Sequence, residues 1–244
     1  MKSHAIFKKA VIEGKIKSKM KKKCISKSLL SLFLTVTLVI GFCPKASAAE
    51  YYSEYPIKWN SYTNASPTTR SLTFRWYNNN LLNSNFTSQI NSAFGYWKYF
   101  YGVTATRVYN TNDLTALIIF STPTASWWHQ LWGNDDTQTI GYTEIYDTKG
   151  TQLLTKSSIQ NSTRRIRSAT IHFNPTLSSE IYVGMTSQGY RNVIAHELGH
   201  ALGFAHYDNA ASIMNKWTED IVGYTSLQPY DKTCFANKYY PNPS

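Results

Sequence analysis

Residues 196–206 read His196-Glu197-Leu198-Gly199-His200-Ala201-Leu202-Gly203-Phe204-Ala205-His206. At 3.6 residues per turn, His196 and His200 lie one turn apart on the same helix face. Two imidazoles so placed can grip one zinc ion. Glu197 stands beside the first of them and can lean toward a water on that metal. Gly203 tolerates positive φ, so it supplies a left-handed turn that ends the helix. The reversed chain then returns His206 as a third ligand. Three neutral protein ligands leave the fourth tetrahedral position to water, the mark of a catalytic rather than a structural zinc site. A bare H-E-x-x-H arises by chance, but the extended spacing here fixes five positions. The bland alternative, a buried helix whose histidines are only hydrogen-bonded, is the weaker reading. Gly199 inside the helix costs about 1 kcal/mol relative to Ala; close packing beneath the metal is the expected reason.

Outward from this stretch the chain alternates strand and helix patterns. Ser71-Leu72-Thr73-Phe74-Arg75-Trp76 alternates apolar with polar and predicts a half-buried strand, broken by Asn78-Asn79-Asn80. Phe86, Ile90, Ala93, Phe94, Trp97 and Tyr101 recur at helical spacing, which predicts an amphipathic helix over residues 85–101, ended by Gly102. Residues 104–108, 116–120, 140–146 and 168–173 read as further strands, the second buried on both faces. Residues 121–138, which hold Trp127, Trp128 and Trp132, read as loop. Helices are expected over residues 187–202 and 227–239. Strands with few helices between them, followed by two helices, indicate an α+β domain.

The charge balance points away from nucleic acid once it is located. The chain carries a formal charge of +11 over 244 residues, but residues 1–48 hold 11 Lys against one acid, Glu13. Residues 49–244 are left with a net charge of +1, so basicity says nothing about the partners of the folded part. Lys21-Lys22-Lys23, the apolar run Leu29–Phe42 and Ala46-Ser47-Ala48 together read as a secretory signal peptide with cleavage after Ala48. A membrane anchor is the rival reading, but a run of 14 residues falls short of the roughly 20 that span a bilayer. Met20 offers a second start that would give a leader of more ordinary length. The expectation is a signal peptide over residues 1–48 and one domain over residues 49–244, exported, monomeric and without stable membrane association after cleavage. Cys24 and Cys43 fall in the leader and leave Cys234 alone in the domain, which excludes a disulfide framework or a cysteine zinc cluster there.

His196, Glu197, His200, Gly203 and His206 resemble the motif of the metzincin zinc endopeptidases. Met214, eight residues beyond His206 in Ser212-Ile213-Met214, falls where metzincins place a methionine turn beneath the metal. The closest resemblance within them is to a bacterial matrixin-type catalytic domain. Leu72 to Trp76 resembles its first strand, Ala93-Phe94 with Trp97 its first helix, Thr170 to Phe173 the strand before the zinc helix, and Leu227 with Asp231 the start of its last helix. Tyr207 departs from the Ser or Thr usual after the third histidine. Lys216 stands where astacin-like and serralysin-like enzymes have a tyrosine, which argues against those subfamilies. No cysteine-switch motif is present.

The resemblance implies a metzincin-like catalytic domain: a twisted mixed sheet, an active-site helix carrying the zinc motif, and a C-terminal helix. It implies a zinc-dependent endopeptidase acting on protein or peptide substrates, with Glu197 as general base and His196, His200 and His206 on the metal. Gly203 and Met214 have structural roles in it. It also places the wall of the S1′ pocket at about residues 215–226. Animal matrixins hold a second, structural zinc with three His and one Asp. Outside the motif, residues 49–244 offer only His129 and His172, so one zinc per chain is expected. Each of these two reads more simply as a surface or hydrogen-bonded core residue. Asn134-Asp135-Asp136 carries oxygens of the kind calcium takes but reads more simply as a solvated turn, so calcium has no support. Cys234 reads as a small apolar side chain on the last helix. Two rivals stay open: a binding module with a vestigial zinc site, against which the presence of Glu197 argues, and a zinc amidase acting on cell-wall peptide.

Overall fold

The computed structural model describes residues 58–59, 62–63, 71–81, 84–98, 103–133, 139–152, 165–176, 184–208 and 211–239. The expected leader and the Asn134-Asp135-Asp136 turn lie outside the described residues. The strands are β1 (Lys58–Trp59), β2 (Tyr62–Thr63), β3 (Ser71–Asn79), β4 (Val103–Arg107), β5 (Leu117–Ser121), β6 (Gly141–Asp147) and β7 (Arg165–Phe173). The helices are α1 (Ser84–Trp97), α2 (Ala125–Trp132), α3 (Ser187–Ala201), α4 (Thr218–Ile221) and α5 (Pro229–Tyr239).

All seven strands join one mixed sheet. β4 pairs with Leu72–Trp76 and β5 with Arg75–Asn79, so they occupy opposite edges of β3, both parallel to it. β7 continues the parallel run beyond β5, and β6 closes that side antiparallel to β7. The short β1 and β2 extend β7 and β3. Alternation in β3 buries Leu72, Phe74 and Trp76 and exposes Thr73. The strand runs past the expected break because Asn78 and Asn79 find ladder partners in Phe120 and Ser121. Pairing thus overrides the turn preference of asparagine. The turn comes at Asn80, whose φ is 57°, and Asn78 Oδ1 accepts from the Leu81 N–H at 3.1 Å.

Helices α1 and α3 cover one face of the sheet. Phe86 of α1 stacks on Phe173 of β7 with ring centroids 4.0 Å apart. The Trp97 indole of α1 donates to the Ala195 carbonyl of α3 at 2.9 Å. From Asn192 to Ala201 every residue of α3 is buried, so this helix forms the middle of the core rather than a surface layer. Thr186 caps its N-terminus by accepting from the Gly189 N–H at 3.1 Å.

A second expectation fails. Residues 121–138 are not all loop, because Ala125–Trp132 is helix α2. Thr124 caps it, accepting from the Trp127 N–H at 3.2 Å, and Gly133 ends it at φ 58°. Trp128 and Trp132, four residues apart, pack together and against Tyr142 of β6 as a small separate cluster. The cap and the i, i+4 tryptophan pair were readable signals. The segment is short, and its partner lies across the sheet, which hid the apolar face.

Candidate active site

The end of α3 sets the geometry. Gly203, at φ 83°, follows the capping residue Leu202. The Phe204 N–H donates to the Gly199 carbonyl at 3.0 Å and the Gly203 N–H to the His200 carbonyl at 2.9 Å. This is the Schellman pair of bonds that reverses a chain at a glycine. The later carbonyls of the helix end take donors from distant elements: Trp59 on Ala201, Tyr239 on Leu202 and Lys238 on Gly203. β1 and α5 therefore hold the turn that delivers His206.

The reversal also sets tautomers. Phe204 returns its carbonyl to within 2.8 Å of His200 Nδ1, and Ile213 places its own 2.8 Å from His196 Nδ1. A carbonyl only accepts, so each Nδ1 carries the proton and each Nε2 keeps a lone pair. Burial lowers the His200 pKa to about 4 and holds that of His196 well below its ordinary value, so both rings are neutral at physiological pH. One nitrogen from each of His196, His200 and His206 lies within 4.8 Å of the others. Nε2 of His200 and Nε2 of His206 are 3.1 Å apart. Two ligands at zinc–nitrogen distances of 2.0–2.1 Å in a tetrahedron stand about 3.3 Å apart, so this donor set fits zinc. Among the described residues it is the one group of three or more potential ligands.

The floor of the site is the turn at Met214. Asp231 Oδ1 accepts from the Ser212 hydroxyl at 2.5 Å, and Oδ2 accepts from the N–H groups of Ile213 and Gln228 at 2.9 and 2.8 Å. Ser212 Oγ in turn accepts from the Met214 N–H at 2.9 Å. Pro229 opens α5, and Asp231, two residues on, reaches back to the residue before it, as in a capping box. One carboxylate thus starts the last helix and ties it to the methionine turn. Met214 explains Gly199. A Cβ at residue 199 would strike the Met214 sulfur and would lie 3.0 Å from the Trp97 ring. The glycine lets the methionine pack directly against the helix between His196 and His200.

Glu197 is fully buried, on the helix flank that meets β6. Burial pushes its carboxyl up to about 7, against the Thr143 hydroxyl, which donates to Oε2 at 2.6 Å. Its Oε1 is buried and finds no hydrogen-bond partner among the described residues. Gly141 lies so close that a Cβ there would stand 2.5 Å from Oε1.

The remaining predicted residues fall elsewhere. His172 meets Glu144 Oε2 at 3.1 Å on the other side of β6 and packs at a tilt against Trp127, ring centroids 4.8 Å apart. His129 is exposed on α2, and among the described residues neither histidine joins a group of three or more potential ligands. Cys234 is buried in the core. Tyr207 stacks on Tyr230 with centroids 3.8 Å apart. Lys216 pairs with Asp208 at 2.7 Å.

Sequence reasoning missed Gly141, Thr143, Asn192 and the work of Asp231. Asn192, one turn before His196, donates to the carbonyls of Ile221 and Tyr224 at 2.5 and 2.9 Å. Tyr96 and Gln188 complete this buried network, which fastens the segment after the methionine turn to α3. Only Asp231 carried a local signal, Pro229 followed two residues later by an acid.

The matrixin family matches this chain over residues 63–239. No curated protein matches it.

Proposed function

The chain belongs to the matrixin family of zinc-dependent endopeptidases, and from that premise we propose the residues and the route by which it cuts peptides. His196, His200 and His206 hold the catalytic zinc and Glu197 is the general base. Zinc held there would supply Lewis acidity, lowering the pKa of a water and polarising the scissile carbonyl. The protein's own groups do the rest. The carbonyls of Ile213 and Phe204 hold the Nδ1 protons of two imidazoles, which would leave each Nε2 lone pair for a metal, as outer partners of metal-bound histidines do. Glu197 takes the proton of the attacking water and later gives it to the leaving amine. β6 offers a strand to which an extended substrate can add by main-chain hydrogen bonds.

The observation that carries this reading is the convergence of three imidazole nitrogens, with Glu197, next in sequence to the first of those histidines, holding a buried oxygen that has no hydrogen-bond partner among the described residues. Purified protein should digest casein or gelatin, lose that activity to a chelator and regain it with zinc. A digest indifferent to chelation would overturn the assignment.

We also propose that the protein is exported and begins near Ala49. N-terminal sequencing of culture supernatant tests this; protein retained in the membrane with Leu29–Phe42 intact would overturn it.

A further inference from the structure

We propose that Thr143 is a positioning residue for Glu197: its hydroxyl clamps Oε2 and leaves Oε1 as the oxygen that exchanges a proton with the attacking water. The proposal rests on the reading of Glu197 as general base.

The argument starts from strand alternation. In the β6–β7 ladder Gly141, Thr143 and Ile145 stand opposite Phe173, Ile171 and Ala169. Those three partners are core residues, so this face of β6 points at the helices. A hydroxyl on such a face needs an acceptor, because an unpaired buried polar group is costly. Thr143 finds two on one residue, 54 positions away in sequence: Glu197 Oε2 at 2.6 Å and the Glu197 carbonyl at 3.2 Å. One hydroxyl thus meets both the backbone and the carboxylate of Glu197. Two residues earlier on the same face, Gly141 lies against the other oxygen. A Cβ there would stand 2.5 Å from Oε1 and 2.7 Å from Cδ, so the carboxylate lies directly against the strand.

A carboxylate has two chemically equivalent oxygens and rotates easily about its last bond. The hydroxyl breaks that equivalence. Oε2 has its donor, while Oε1 is buried with none. In the reaction the attacking water loses a proton to Oε1 as its oxygen bonds to the peptide carbon. That proton leaves Oε1 for the amine nitrogen as the carbon–nitrogen bond breaks, and Glu197 ends as it began. Throughout, Thr143 continues to hold Oε2.

Valine has the shape of threonine without the hydroxyl and suits a strand equally well. Thr143→Val should lower kcat on a fluorogenic peptide by about 10- to 100-fold, the worth of a hydrogen bond to a charged group. KM should stay within about twofold and zinc content should equal wild type. Thr143→Ser should recover kcat to within a few-fold. Without substrate, infrared difference spectra of ¹³C-glutamate-labelled protein against its Glu197→Gln counterpart should show the Glu197 carboxylate band shifted in the valine variant and restored in the serine variant. A purely structural role for Thr143 would move the thermal midpoint but neither the kcat–KM split nor the band. A Val variant with wild-type kcat and an unshifted band overturns the proposal, as does a Ser variant that fails to recover. Glu197→Gln, assayed in parallel, separates the two readings. If it is inactive while Thr143→Val is active, only the clamp fails; if it is active, the general base itself fails and the clamp with it.

Discussion

Glu197 and Glu144 lie on opposite sides of strand β6, and their surroundings drive them in opposite directions. Glu197 is buried against the core face with Thr143 as its one side-chain donor among the described residues, and burial pushes its carboxyl up to about 7. For Glu144, burial alone would also raise the pKa. Donors from His172, Tyr146 and Gln152 outweigh it and bring the carboxyl below its ordinary value. A carboxylate whose oxygens are occupied is a structural part; one with a buried, unpartnered oxygen carries a cost that a reaction can use. The neighbours in the ladder set the two surroundings. Thr143 and Glu144 are adjacent, and alternation sends one to the active-site helix and the other to His172. On its side of β6, Glu144 joins His172, Tyr146 and Gln152 in one hydrogen-bonded set, with Trp127 of α2 packed against His172.

The largest effects should fall on the Glu197 side. His200→Ala should lose both zinc and peptide hydrolysis, because two imidazoles hold the ion weakly; metal analysis of the purified variant checks this. Glu197→Gln should keep its zinc and lose about 10²–10⁴ in kcat. Freed of an underpaired buried charge, it should also unfold at no lower a temperature than wild type. A Glu197→Gln protein that is clearly less stable would break the comparison, because that carboxylate would then be holding the fold together.

Beneath the histidines the effects should be structural. Asp231→Ala removes the acceptor for Ser212, Ile213 and Gln228 and should cost about 3 kcal/mol in denaturant unfolding. Gly199→Ala forces Met214 and Trp97 apart and should cost about 1–3 kcal/mol, with zinc affinity falling alongside. An alanine variant as stable as wild type would show that the methionine turn yields freely.

The smallest effect belongs to Glu144. Glu144→Gln should cost about 1 kcal/mol at pH 7, since an amide cannot accept all three donors and the pair is partly screened. A carboxyl whose folded pKa lies below the unfolded one contributes stability above the unfolded value, near 4.5, and loses it as pH falls through the folded value. The difference between variant and wild type should therefore shrink below that pH. Unfolding curves at pH 7 and in acid test it, and a gap that widens in acid would reverse the contrast with Glu197.

Much of this was legible in linear sequence because the signals are local. The i, i+4 histidines, the glycine three residues after the second, and the apolar stripe of α1 each depend on one element's own period. Strand positions also came out close, within a few residues of the ladders. What could not be read was whatever faces across elements: that Gly141 must be small for Glu197, that Thr143 reaches a residue on another element, that Asn192 fastens the 221–224 backbone, and that α2 has its apolar partner in Tyr142.

By itself, then, the sequence determined the donor set, the turn that brings the third histidine back and the presence of an acid beside the first, since all are set by covalent spacing and helix geometry. The sheet register decided the rest. Which glutamate is left with an unpartnered oxygen depends on what stands within 3 Å of it, and for Glu197 that neighbour arrives from 54 residues away.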